Sequence, residues 1–246
     1  MEQTHPAAPD PHLGLLGHFH LFSRADHVYL PPTAQRLMAL LALHQDGVPR
    51  DRAAGLLWPD LTDQHAAASL RSTLWRLSRR GGQHLVETRS GAPLLFLHGA
   101  VRVDLHGAAD QAHRLATQPP AEPPRTVPTG LREDLLPSWP DEWLVLAREH
   151  FHQTRLHALE SLSRHLVRAG ENTAAMECAM TALRAEPLRE SAHRAVTETH
   201  LAEGNVAEAL RHYDLYRDRL RTELGLAPSG NYRALLAPFL ARPLDT

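Results

Sequence analysis

The sequence contains one cysteine, Cys178, and no lysine. A single thiol closes no internal disulfide and supplies no multi-cysteine zinc site, which excludes the small secreted scaffold and the zinc finger. Long hydrophobic runs are missing too. None approaches the roughly 20 residues that span a bilayer, and Met1 to His12 carries His, Pro and acids where a leader would be apolar. The expectation is a cytoplasmic protein with no membrane contact. Also absent are the phosphate-cradling and dinucleotide-binding glycine strings, the GxSxG elbow and the HExxH zinc frame. The 18 histidines include the pairs His18/His20 and His150/His152, but no ligand frame surrounds them. No catalytic residue, metal or cofactor is expected, and the chain does not read as an enzyme.

What is present is a globular composition, 43% apolar and 22% charged, in 246 residues, enough for one large domain or two small ones. Without lysine, every fixed positive charge is a guanidinium, whose planar fork suits phosphate and guanine. The net charge of -2 hides an asymmetry. Between His65 and Arg102 stand Arg71, Arg76, Arg79, Arg80, Arg89 and Arg102 against Glu87 alone, a balance of +5, so the remainder carries -7. Acid pairs such as Glu133/Asp134 and Asp141/Glu142 read as solvating a loop and the first turn of a helix.

The proline-rich stretch QPPAEPPRTVP, Gln118 to Pro128, divides the chain, since its prolines remove backbone donors and favour an extended, exposed path. Before it, short alternating apolar blocks near Leu13 to Phe22, His27 to Leu30, Leu85 to Thr88 and Leu94 to His98 predict strands. Helical spacing between the two strand groups predicts helices over Thr33 to His44, Arg50 to Leu57 and Gln64 to Arg79. After the linker the pattern is helical throughout: Asp141 to Arg168, Asn172 to Ala185, Leu188 to Glu203, Val206 to Glu223 and Gly230 to Leu240. A shift of 34 residues lays Ala158 on Ala192, Gly170 on Gly204 and Ala175 on Ala209. That period, with glycine at the turn and small residues where helices cross, is the tetratricopeptide pattern. The long helix carrying Trp143, Leu146 and Phe151 is expected to cover one open end of the short repeat. Trp139 and Trp143 read as packing anchors, and Cys178 as a small core residue.

In the segment His65 to Gly82, Leu70, Leu74 and Leu77 recur at helical spacing and predict one buried face. The opposite face presents Ser69, Arg71, Ser72, Trp75, Arg76, Arg79 and, at its margin, Thr73. No acid falls between Gln64 and Val86, so this arginine row lacks the i,i+4 compensation of an ordinary solvated helix. Such a row suits a polyanion. Strands followed by three helices and a hairpin describe a winged helix-turn-helix, in which the third helix enters the major groove and the hairpin reaches the adjacent backbone or minor groove.

The strings LGLLGHFHLF, AQRLMALLALHQDGVPRDRAAGLLWPD, AAASLRSTLWRLSRR, VRVDL, LLPSWPDEWL, PLRESAHRAV and YRDRLRTELGLAPS resemble those of the Streptomyces antibiotic regulatory protein family. The resemblance runs from residue 13 to about residue 240. It implies an α+β OmpR-type winged helix-turn-helix domain over 13–103, after a flexible N-terminus over 1–12. An all-α, tetratricopeptide-like bacterial transcriptional activation domain then covers 104–246, with a Pro-rich loop at 117–130. It further implies a sequence-specific transcriptional activator that binds direct repeats in double-stranded DNA near a promoter, self-associates there, and contacts RNA polymerase through its sigma or alpha subunit. Localisation would then be cytoplasmic and nucleoid-associated. Carried over by position, Arg71, Thr73, Trp75 and Arg76 would face bases or phosphates. Arg79, Arg80 and the wing residue Arg89 would reach backbone or minor groove, and Arg36 matches a basic position of the first helix. Two departures stand out: Ala34 in PPTAQR replaces a basic residue, and SGAPLLFL follows Arg89 where the family's wing ends in a Gly-Tyr-Arg-like string. The alternatives are a repeat-based adaptor whose winged domain no longer binds DNA, and a sensor that takes an effector on the repeat's concave face. No effector is identified by the sequence.

Overall fold

The structure is a computed structural model that describes residues 11–23, 26–79, 85–88, 93–118 and 122–240. Its contacts divide into two compact units. The first runs to Gly107 and takes in Glu133–Phe151; the second joins Ala108–Arg132 to the chain from His152 onward.

In the first unit, alternation along β1 (His12–Gly14) and β2 (His20–Ser23) buries Leu13, Leu15 and Leu21 completely. β3 (Asp26–His27) extends this antiparallel ladder, and β7 (Arg102–Val103) runs parallel to β1 on its other side, giving the order β3-β2-β1-β7. Next comes α1 (Pro32–Leu43), whose run from Leu37 to Ala42 is buried on every side and forms the centre of the unit. A short β4 (Val48–Pro49) leads into α2 (Arg50–Leu57), which stops before Pro59, and then α3 (Asp63–Arg79). β5 (Val86–Thr88) and β6 (Leu94–Leu97) form an antiparallel hairpin, with β4 as third strand on the β6 side. The three helices and the hairpin are those expected from the sequence, whereas the block Leu13 to Phe22 divides into β1 and β2 and the strand expected over His27 to Leu30 ends at His27. β4 and β7, two residues each, were not expected.

Asp104 at the start of α4 (Asp104–Thr117) ties the end of β1 down: its carboxylate accepts the backbone N–H groups of Leu15 at 2.8 Å and Leu16 at 3.1 Å. The segment 133–151 completes the unit. Gly17 N–H donates to the Asp134 carbonyl at 2.8 Å and Leu136 N–H to that of Leu15 at 2.9 Å. Arg148 in turn donates to the carbonyls of Leu135, Leu136 and Trp139 at 3.1, 2.7 and 2.8 Å. Trp143, Leu146 and Phe151 therefore fall in the first unit, while the same helix from His152 onward packs in the second. The helix that carries them, α5 (Glu142–Arg168), has 27 residues, about 40 Å of length, and is long enough to serve both units. Leu146 is 83% exposed.

The second unit is helical. The remainder of α4, a 3-10 turn at Thr129–Leu131, and α5 from His152 are followed by α6 (Asn172–Ala185), α7 (Glu190–Ala202), α8 (Val206–Leu224) and α9 (Gly230–Leu240). One core packs Leu156, Leu159, Leu162 and Leu166 against Ala175, Cys178 and Ala182; another gathers Tyr216, Leu220, Tyr232 and Leu236. The buried Cys178 thiol is pushed up to about 12, chiefly by desolvation, which makes it an inert core residue. Of the proline-rich stretch, Val127 is buried in the first of these cores, and Arg125 pairs with Glu171 at 3.1 Å.

The 34-residue period is visible atom by atom. Gly170 and Gly204 both end a helix in the left-handed region, with φ of 77° and 78°. The closing bonds repeat as well: Gly170 N–H to Val167 C=O and Glu171 N–H to Leu166 C=O at 3.0 and 2.9 Å, then Gly204 to Leu201 and Asn205 to His200 at the same distances. The small residues of the period, Ala158 with Ala192 and Ala175 with Ala209, are all fully buried at helix crossings.

Candidate nucleic-acid interface

The face in question belongs to α3. Its inward side is set by Ala66, Leu70, Thr73 and Leu77, at 1%, 2%, 4% and 3% exposure and spacings of four, three and four. Leu74 is half-buried beside them. At about 100° per residue, Thr73 lies roughly 140° around the helix from Ala68 and 160° from Trp75, on the far side from solvent. Its hydroxyl donates to the Ser69 carbonyl at 2.9 Å. The expectation that Thr73 meets DNA is therefore corrected: it is a core residue that satisfies its hydroxyl within the helix.

Arg71, Trp75 and Arg76 are exposed, Trp75 at 58%, while Ser69 and Ser72 are half-buried at the edges. Arg71 and Arg76 sit on opposite shoulders, about 140° apart, with Trp75 between them. Among the described residues, neither arginine pairs with a carboxylate. Arg79 ends α3. Arg80 and Arg89 lie outside the described residues.

Arg36 is engaged elsewhere. Its Nε and a terminal nitrogen reach Asp141 Oδ1 at 2.7 and 2.5 Å, and the same oxygen accepts the Trp143 indole N–H at 3.0 Å. The Asp141 side chain is only 8% exposed. Two expectations change as a result. The Arg36 guanidinium is neutralised by a nearly buried carboxylate and lacks the uncompensated charge expected of a phosphate contact, and Asp141 clamps the 133–151 segment to α1 where a solvated helix start was expected. Spacing alone gave no sign of this pair, because 105 residues separate its members. Trp139 stacks on Phe19 with centroids 6.1 Å apart, so both tryptophans anchor packing. They also line, with Pro32, Gln35, Arg36 and Leu56, a cavity of about 650 Å³.

A family model described as Bacterial transcriptional activator domain matches residues 106–239. Among solved structures, the chain is similar to "Mycobacterium tuberculosis EmbR in complex with low affinity phosphopeptide", with a TM-score of 0.73 and 18% identity. The match covers 96% of this chain and 66% of that one, so the chain spans just under two thirds of its relative, and the likeness is one of fold. No curated protein matches the sequence.

Proposed function

The chain belongs to the bacterial transcriptional activator domain family, and from that premise we propose that it binds double-stranded DNA through the Arg71–Trp75–Arg76 face of α3 and activates transcription from the promoter beside its site. The observation that carries the reading is the pair of arginines that, among the described residues, have no carboxylate partner on the exposed side of the third helix of a winged arrangement. Arg79 and Arg80 continue this basic row toward the sugar-phosphate backbone, and Arg89 in the hairpin extends the footprint. A single module of this kind buries little surface, so two copies bind adjacent direct repeats about 10 bp apart. The winged helix-turn-helix comprises residues 13–103 together with the 133–151 segment, and the repeat in the second unit contacts RNA polymerase through its sigma or alpha subunit. The protein acts in the cytoplasm, at the nucleoid.

The test is selection of fragments from the host genome by the purified full chain, followed by gel-shift titration of the enriched fragments with wild type and Arg71→Ala/Arg76→Ala. Retardation of a recurring sequence by wild type and its loss in the double variant are expected. Equal affinities, or no enriched sequence at any salt concentration, would reject the reading in favour of a repeat-based adaptor.

A further inference from the structure

The cavity beside Trp139 and Trp143 lies wholly in the first unit, walled by α1, the end of α2 and the segment that leads into α5. Among the described residues, none of α3 lines it. Pro32, Leu56, Pro59 and the two indoles make the surface mostly apolar, and its volume of about 650 Å³ falls within the roughly 300–1,000 Å³ of small-molecule sites. The walls are already held in place. Trp139 stacks on Phe19, the Trp143 indole N–H donates to Asp141 Oδ1, and each proline fixes its own φ, so little ordering cost falls on a guest. Gly55 lines the same space, and a Cβ added there would meet no atom within 4 Å.

Three ionised side chains stand in the wall: Arg36, Asp141 and Glu142. Arg36 gives Nε and a terminal nitrogen to Asp141 Oδ1, so these two charges answer each other. Glu142 is exposed and, among the described residues, has no cationic partner. Asp141 Oδ2 is open as well, because the Arg36 and Trp143 donors all converge on Oδ1. Glu142 begins α5, whose N-terminus contributes a partial positive charge of about half a unit, less than the full unit on the carboxylate. The balance in the wall is negative.

Indole faces attract cations, tryptophan more strongly than the other aromatic side chains. We propose that this cavity binds a small organic cation, a flat or hydrophobic amine whose apolar body lies against Trp139 and Trp143 and whose charge is met by Glu142 and the open oxygen of Asp141. An anion would find only Arg36, which Asp141 already neutralises. The inference goes beyond duplex recognition by α3 and does not rest on it.

The experiment is fluorescence anisotropy of tetramethylrhodamine ethyl ester, a flat monocation, titrated with the full chain in the absence of DNA. Fluorescein, which carries negative charge on the same ring skeleton, is the control. The variants are Gly55→Leu and Glu142→Gln. Gly55 is exposed on α2, where leucine is the better helix former, so the first variant fills open space without disturbing the core, and circular dichroism checks that it folds. Wild type is expected to bind the cation saturably and fluorescein at least about tenfold more weakly; Gly55→Leu should weaken the cation about tenfold and Glu142→Gln about fivefold. No saturable binding by wild type, or equal binding of the two dyes, would overturn the proposal. An affinity unchanged by Gly55→Leu would place the dye elsewhere, and one unchanged by Glu142→Gln would remove the charge from the account; either result overturns it. So would binding of a basic proline-rich peptide with none of the cation, which would make this face a peptide groove. A failed duplex gel-shift with dye binding intact would count against the α3 reading alone.

Discussion

Arg76 and Arg79 are expected to fail differently. If Arg76 makes a bidentate contact with guanine, Arg76→Ala costs about 1–3 kcal/mol and relaxes preference at one base step, whereas Arg79→Ala weakens all sequences alike and lowers the salt slope by about one. Gel-shift titration of a cognate duplex and its single-base variants separates the two; identical profiles would contradict the assignment. Asp141 has a structural task, because one of its oxygens receives both Arg36 and the Trp143 indole. Asp141→Asn removes the charge that holds Arg36 and should destabilise the first unit by about 1–3 kcal/mol in urea denaturation; an unchanged midpoint would show the clamp to be idle.

His193 gives the second unit an acid-sensitive point. Its Nε2 donates to the Pro187 carbonyl at 3.0 Å, which leaves Nδ1 to accept from His212 Nε2, also at 3.0 Å. Burial, with His193 and His200 nearby, holds His212 down to about 4 from the ordinary 6.5, and burial lowers His193 as well. The unfolded chain then takes up protons that the folded one refuses, so stability is full above about 6.5 and is lost as pH falls toward 4. Urea midpoints at pH 7 and pH 5 should differ more for wild type than for His212→Gln; equal differences would contradict this account.

At the scale of elements, the equivalence of the two repeats is the firmest claim. Gly170 and Gly204 share a left-handed φ and the same closing bonds, so Gly170→Ala and Gly204→Ala should each cost about 1 kcal/mol by thermal unfolding. A large cost at one and none at the other would break the equivalence. The bounds of α6 and α9 were legible to the residue because strong apolar periodicity and turn residues coincide there. α4 was missed although Leu105, Ala108, Ala112 and Leu115 recur at three, four and three: Gly107 and the small alanines weaken the pattern, and the helix follows a strand directly. β4 and β7 carry no period at two residues and exist only through their pairing with β6 and β1. Thr73 was misplaced for a related reason, since a hydroxyl bonded to the preceding turn buries as readily as a small apolar residue.

At the scale of the molecule, the net charge of -2 concealed a basic window, and that window was the most informative feature of the sequence. What the sequence left hidden is long-range: the Arg36–Asp141 pair joins residues 105 apart, and only folding brings the 133–151 segment onto the first unit. A protein with an acidic remainder and one arginine face should bind DNA with a steep, localised dependence on salt. The most direct measurement is the slope of log affinity against log salt for a cognate duplex, with wild type and Arg71→Ala/Arg76→Ala. If both guanidinium groups neutralise phosphates, the double variant's slope is shallower by about two; a slope unchanged by their removal would contradict the claim that this side of α3 holds the duplex.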